Sequence, residues 1–285
     1  MEPAIAVDDF SFTYSGSDQP AVEDVNLRVE EKEFIVLAGP SGCGKTTLCK
    51  SFVGLIPHFY SGASKGVVKI LGVNVADSSI YEISQRVGYV FQNPDNQLVM
   101  TTVRRDTAFG LENLGLPRRE MERRVDQTLA LLDLAALADE PIYALSGGQK
   151  QKLAIAGILA MNPKILILDE PTAYFSPASA LSFLELLSKL NRDLDLTILL
   201  VEHRLDLAAR YASRLVVMDM GMIRFQGNPR DFFIQSSSDL SGINTPSVIQ
   251  LYHLLRERGY TFSDLPLSTK EASWLIREAL ENVRG

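Results

Sequence analysis

The sequence predicts an α/β fold: a mainly parallel core sheet with an antiparallel β subdomain and a helical insert, followed by a small C-terminal helical tail. Three observations carry this expectation. The glycine-rich stretch GPSGCGKTT at 39–47 directly follows the apolar run Phe34–Ala38. Two more apolar runs, 165–168 and Thr197–Val201, flank a helical stretch at 178–190, the alternation of a parallel sheet with crossover helices. After Gly227 the composition shifts to a serine-rich linker and then to two amphipathic segments.

Taken in order, 4–14 and Val22–Val29 read as short strands of an antiparallel sheet, joined by a turn at 15–18. Phe34–Ala38 has no polar position and suits a strand buried on both faces. Residues of about 100–160 form the helical insert. Within 102–137 of that insert, Leu111, Leu114, Val125, Leu129 and Leu132 recur at helical spacing, and Pro117 and Pro141 punctuate it. Residues 216–218 continue as a strand, turning at Gly221 into 223–226. The expected domains are therefore 1–227 and a helical extension at 228–285, with 236–242 as the linker. In the extension, Thr245 and Pro246 suggest a cap and a first-turn proline for a helix burying Val248, Leu251, Tyr252 and Leu255. Ser268 and Glu271 have capping-box spacing ahead of Trp274, Leu275 and Leu280.

The chain has 285 residues, 46% of them hydrophobic, enough for a real core. Its net charge of -7 argues against a surface that neutralises many phosphates, so no nucleic acid is expected as a partner. Cys43 and Cys49 sit at neither metal-ligand nor disulfide-framework spacing, which fits a reducing compartment. The first residues lack the basic and apolar regions of a secretory signal, so export by that route is not expected. Apolar runs fall short of the roughly 18 residues that cross a bilayer. A role at a membrane would need another chain to span it.

Gly39, Gly44, Lys45 and Thr46 meet the spacing of a phosphate loop between a strand and a helix. In such a loop the amides of 39–47, including Ser41, Gly42, Cys43 and Thr47, can fold around phosphate oxygens, helped by the positive helix start. Lys45 would reach the β- and γ-phosphates, and Thr46 would ligate Mg²⁺. Asp169 and Glu170 close the 165–168 run, placing one acid to hold Mg²⁺ and one to polarise water. Leu145 is followed by Ser146, Gly147, Gly148 and Gln149, a turn opening a helix with Leu153, Ala156 and Leu159 or Ala160 on one face. That start is a second candidate anion site.

Phosphate loop, LSGGQ and acidic pair, in this order, resemble the ATP-binding cassette (ABC) ATPases, a P-loop NTPase family, over roughly residues 1–227. The resemblance implies further roles. Tyr14 matches the aromatic that stacks on adenine, Gln92 the glutamine that senses Mg²⁺ and the membrane subunits, and His203 the switch histidine at the γ-phosphate. The stretch from Phe91 to Gln97, the earlier stretch from Gly54 to Tyr60 and the helical tail resemble the ATPases of energy-coupling factor (ECF), or cobalt-type, importers, which take up vitamins or metal ions. His58 and His253 are read as surface or packing residues rather than metal ligands.

In the family, the LSGGQ of one subunit closes over ATP held by the other. The resemblance thus implies a second ABC ATPase subunit, a paralogue or a second copy, and transmembrane transporter subunits. It places the chain on the cytoplasmic face of the membrane as a peripheral subunit. One position departs from the pattern: Ser176 stands where the family usually has aspartate. Serine hydrogen-bonds without charge, and this favours a paralogous partner. Two other readings are weighed, a soluble ABC ATPase acting on the ribosome or DNA and a regulatory cassette that only binds ATP. The single cassette, short insert and acidic composition weigh against the first, and intact Lys45, Asp169, Glu170 and His203 against the second.

Overall fold

The computed structural model describes residues 2–235, 243 and 245–284, with side chains as far as Leu280. The linker expected at 236–242 lies outside the described residues. The elements run β1 (Ile5–Tyr14), β2 (Val22–Val29), β3 (Phe34–Ala38), α1 (Lys45–Phe52), α2 (Leu55–His58), β4 (Gly62–Ile70), β5 (Val73–Asn74) and α3 (Ile80–Ser84). They continue with β6 (Val87–Val90), α4 (Val103–Asn113), α5 (Arg118–Leu131), α6 (Gly147–Leu159), β7 (Ile165–Asp169), α7 (Pro177–Asp193) and β8 (Thr197–Val201). The remainder are α8 (Leu205–Ala208), β9 (Arg214–Asp219), β10 (Met222–Gly227), α9 (Pro229–Gln235), α10 (Ser247–Glu257) and α11 (Thr269–Arg284).

A six-stranded sheet in the order β10-β9-β3-β8-β7-β6 forms the centre, parallel from β9 to β6 with β10 antiparallel at one edge. Every residue of β3, β7 and β8 is buried. Successive side chains point to opposite faces of a strand, and the core divides accordingly. Ile35, Leu37, Ile165, Ile167, Leu199 and Val201 pack with α1 and the antiparallel sheet, whereas Val36, Leu166, Leu168, Ile198 and Leu200 pack with α6, α7 and the insert. The continuous apolar runs are thus the sequence signature of a strand covered twice.

The second sheet is antiparallel, in the order β2-β1-β4-β5. Strands β4 and β6 are additions to the elements read from the sequence. Residues 62–66 of β4 are exposed and carry no apolar alternation; they are extended because β1 pairs with them from Tyr14↔Gly62 onward. In the insert, Pro117 is the N-cap of α5, and Leu111, Val125, Leu129 and Leu132 are buried while Leu114 is only partly so.

The tail corrects three expectations. Pro246 is the N-cap of α10, not a first-turn residue. Ile249 and Tyr252 are the buried positions of α10, while Leu251 is 42% exposed and Val248 and Leu255 are only partly covered. The Ser268–Glu271 box is half made: Ser268 Oγ accepts the Glu271 N–H, but the Glu271 carboxylate accepts Leu267 N–H and Arg230 instead of the cap amide. Arg230 also pairs with Asp264 at 3.0 Å, so one guanidinium ties α9 to the tail, and it draws Glu271 away from its own helix start. Among the described residues no helix is long and apolar enough to cross a membrane.

Candidate functional site

The chain leaves β3 at Ala38 and turns through 39–44 into α1. Gly42 and Gly44 have φ of 78° and 105°. A Cβ at Gly44 would collide with the Ala21 carbonyl oxygen, and one at Gly39 with that of Met218. Both close approaches demand glycine. Gly44 is the N-cap of α1 and no side chain caps the helix, so its first amides face outward for an anion. Lys45 is 4% exposed and donates to the carbonyls of Gly39 at 2.9 Å and Pro40 at 2.8 Å. Burial pushes the Cys43 thiol up, with Lys45 opposing, and burial raises Cys49 as well, so both behave as packing groups and not as nucleophiles.

Tyr14, at the end of β1, reaches the start of α1, its hydroxyl 3.2 Å from Thr47 Oγ1. Its ring meets Phe12 and Tyr60 edge-on at 4.8 and 6.0 Å. Thr47 is buried and engaged there, while Thr46 is exposed at the helix start.

Asp169 ends β7 and is buried. Its Oδ2 accepts the Tyr89 hydroxyl at 2.7 Å, and its Oδ1 is buried with no hydrogen-bond partner in the chain. Burial raises the Tyr89 phenol well above its usual value, with the Cys49 thiol and Asp169 adding to the effect, so it remains a donor to Asp169. Glu170 follows with φ 50°, a left-handed conformation costing a non-glycine residue roughly 1–2 kcal/mol. Its N–H donates to Val201 O at 3.1 Å, which offsets part of that cost. Gln92 Nε2 donates to Glu170 Oε2 at 3.1 Å, and His203 Nε2 lies 2.7 Å from Oε1. In the tautomer with a proton on Nε2, His203 is the donor of that pair. The residues fit a Mg²⁺ ion: an orphaned buried Asp169 oxygen, an exposed Thr46 hydroxyl and the amide oxygen that Gln92 does not use are hard donors.

Ser146 to Gln149 form a separate place. They open α6 with a complete capping box, in which Gln149 N–H donates to Ser146 Oγ and Ser146 N–H to Gln149 Oε1. Among the described residues they make no hydrogen bond to the phosphate loop. Two ties link α6 to the segment after Gln92: Lys150 pairs with Asp95 at 2.7 Å, and Gln97 Nε2 donates to Ala154 O at 3.3 Å. Ser176 is the N-cap of α7, its Oγ accepting Ser179 N–H at 3.2 Å ahead of Pro177. Serine and aspartate are both good N-caps, so the departure at 176 keeps the helix start and removes only a charge. Of the two isolated histidines, His58 Nε2 is 2.9 Å from Val75 O, and His253 stacks edge-on with Tyr252.

Reading the sequence alone misses Tyr89 and Glu202. Glu202 is a 3% exposed carboxylate directly after the apolar run of β8. An acid directly after the apolar run 198–201 and beside His203 was the available signal, since burying it unpaired is costly.

A phosphate loop between a buried parallel strand and a helix, with an aspartate–glutamate pair ending a nearby strand, defines a P-loop nucleotide triphosphatase cassette. The chain belongs to the ABC transporter family, whose profile matches residues 22–173. It is 37% identical over 259 residues to the energy-coupling factor transporter ATP-binding protein EcfA1 of Geobacillus kaustophilus, covering 90% of this chain and 91% of that one. It is 42% identical over 253 residues to an ABC transporter ATP-binding protein, provisionally so named, of Methanosarcina mazei; there the match spans 88% of this chain but only 43% of the relative's length. Among solved structures, cbiO1 of Clostridium perfringens, described as part of the ABC transporter complex cbiONQ, aligns with a TM-score of 0.77 at 31% identity over 91% of this chain and 98% of that one. A dimeric ATP-binding cassette in a post-hydrolysis state with ADP and Pi aligns with a TM-score of 0.68 at 27% identity, over 79% of this chain and 99% of that one. The fold is thus the ABC ATPase cassette, with its mixed sheet and antiparallel subdomain.

Proposed function

We propose that the chain is the ATP-binding and ATP-hydrolysing subunit of an ECF-type importer of a vitamin or metal ion, seated peripherally on the cytoplasmic face of the membrane. The Gln92–Glu170–His203 constellation carries the hydrolytic part of this reading. Similarity to EcfA1 along nine-tenths of both chains supports the importer part.

In this reading Tyr14 stacks on the adenine, and the amides of 39–47 surround the phosphates. Lys45 exchanges the Gly39 and Pro40 carbonyls for β- and γ-phosphate oxygens. Thr46, Asp169 and Gln92 would hold Mg²⁺, which supplies charge neutralisation on the phosphates when bound. Glu170 takes a proton from the attacking water as the bond from γ-phosphorus to the bridging oxygen breaks. In the tautomer with a proton on Nε2, His203 can turn that donor from Glu170 to a γ-phosphate oxygen. Ser146, Gly147, Gly148 and Gln149 serve the ATP of a second cassette, a paralogue or a copy, and the Ser146 hydroxyl still has a proton to donate while it caps α6. Closure on two ATP molecules and release after hydrolysis pass to transmembrane subunits. The tail, whose Trp274 is 62% exposed, adds an intersubunit contact; unchanged dimerisation after truncation at Gly227 would remove it from this role.

The decisive experiment is Glu170→Gln: phosphate release should fall by roughly 10²- to 10⁴-fold with ATP binding retained. Wild-type turnover would exclude Glu170 as the base. Purification from solubilised membranes should bring down membrane-embedded subunits; recovery of ribosomes or DNA would overturn the importer reading.

A further inference from the structure

Among the described residues Glu202 makes no hydrogen bond to residues 39–47, yet its carboxylate bonds to both segments that carry Glu170 and His203. Its Oε1 accepts the backbone N–H of His203 at 2.9 Å and of Arg204 at 3.0 Å. Its Oε2 accepts the hydroxyl of Thr172, a residue with no exposed surface. The Glu202 N–H donates to Leu37 O at 3.2 Å, which fixes this residue to the end of β3, where the phosphate loop begins. A carboxylate at this depth is stabilised only by such hydrogen bonds, and an aliphatic residue would continue the apolar run of β8 at lower cost.

These bonds set a spacing. Thr172 lies two residues after Glu170, and the His203 amide belongs to the residue whose imidazole meets Glu170 at 2.7 Å. Both ends of the Glu170–His203 hydrogen bond are therefore anchored, within two residues, to one carboxylate. Arg204 adds a parallel tie, Nη1 donating to Phe175 O at 3.1 Å, so the loop from Glu170 to Ser176 is held to the 202–204 turn at two points. Glu170 itself sits in a left-handed conformation that its neighbours must maintain.

We propose that Glu202 is a positioning residue for ATP hydrolysis: it sets the distance between the general base Glu170 and the switch residue His203 by clamping the Thr172 hydroxyl and the 203–204 amides. The proposal rests on the hydrolytic role given above to Glu170. It separates Glu202 from the ATP-binding groups, so its loss acts on the chemical step and not on affinity.

The test uses the full chain assembled with its second cassette, with phosphate release for turnover and a fluorescent ATP analogue for affinity. Glu202→Ala is expected to lower kcat by roughly 10- to 100-fold, the effect of a misplacement near 1 Å, with nucleotide Kd within about threefold of wild type. Glu202→Gln is expected to stay within about threefold of wild-type kcat, because its amide oxygen still accepts both N–H groups and its NH₂ can donate to the Thr172 hydroxyl. Thr172→Val removes one bond and leaves the fold's apolar volume nearly unchanged; it should lower kcat several-fold at constant Kd. If the alanine variant does not fold, the glutamine and valine variants decide. Wild-type kcat in Thr172→Val, a glutamine variant without turnover, or a parallel loss of kcat and affinity overturns the proposal. Glu170→Gln in the same assay keeps the two readings apart: inactive Glu170→Gln beside fully active Glu202 and Thr172 variants sinks only this inference, whereas active Glu170→Gln sinks the hydrolytic reading itself.

Discussion

Two helices of this chain, α1 and α6, begin at glycine-rich turns, and they use their glycines in opposite ways. Before α1, Gly39 and Gly44 are required from within: added Cβ atoms would strike the carbonyls of Met218 and Ala21. At the start of α6, a Cβ on Gly147 or Gly148 would meet nothing within 4 Å. The first helix start has no side-chain cap, while the second is closed by its own capping box. A glycine that no neighbour requires, in the middle of a helix start where alanine is more favourable, points to a demand from outside the chain. That is what the proposed second cassette would supply.

The largest effect is expected from Gly44→Ala. It forces a left-handed φ and a backbone collision, so a loss of about 2–4 kcal/mol in stability, read from the denaturant midpoint, and of ATP binding is expected. Gly148→Ala should do the reverse. Stability should hold or rise by up to about 1 kcal/mol, ATP binding by the single chain should be unchanged, and hydrolysis by the assembled pair should fall because the methyl stands where a phosphate would approach. If hydrolysis persists, α6 does not serve a nucleotide. Ser176 gives the smallest effect: alanine should cost about 1 kcal/mol by removing the α7 cap, whereas aspartate should leave stability within about 0.5 kcal/mol. Any change of hydrolysis in Ser176→Asp then reports the charge alone.

Legibility followed burial. Strands β3, β7 and β8 were readable because both faces are covered and no polar residue interrupts them. Strand β4 was not, because its exposed first half is extended only by pairing with β1. In the tail, helical spacing was visible but not which side is covered; Ile249 rather than Leu251 faces inward because of what α10 packs against. The half-made box at Ser268 failed for a similar reason: Arg230, distant in sequence, competes for Glu271.

The class of cradle was legible from the residues, since glycines, a lysine and a threonine at set spacing after a strand mark a phosphate loop, although the folded loop also takes the Gly221 N–H on the Cys43 carbonyl at 3.1 Å. The sequence also pointed to Asp169 and Glu170, while Gln92 and His203 came from the resemblance to the ABC ATPases. Only the tertiary structure decided that Glu170 is held by Gln92 and His203, that Tyr89 donates to Asp169, and that Glu202 joins the loops bearing the acid and the histidine. The reason is physical. Those bonds join residues up to 80 positions apart, so they exist only once the parallel strands have brought their carboxyl ends to one edge of the sheet, where a buried carboxylate must find its donors across chain segments that no spacing rule connects.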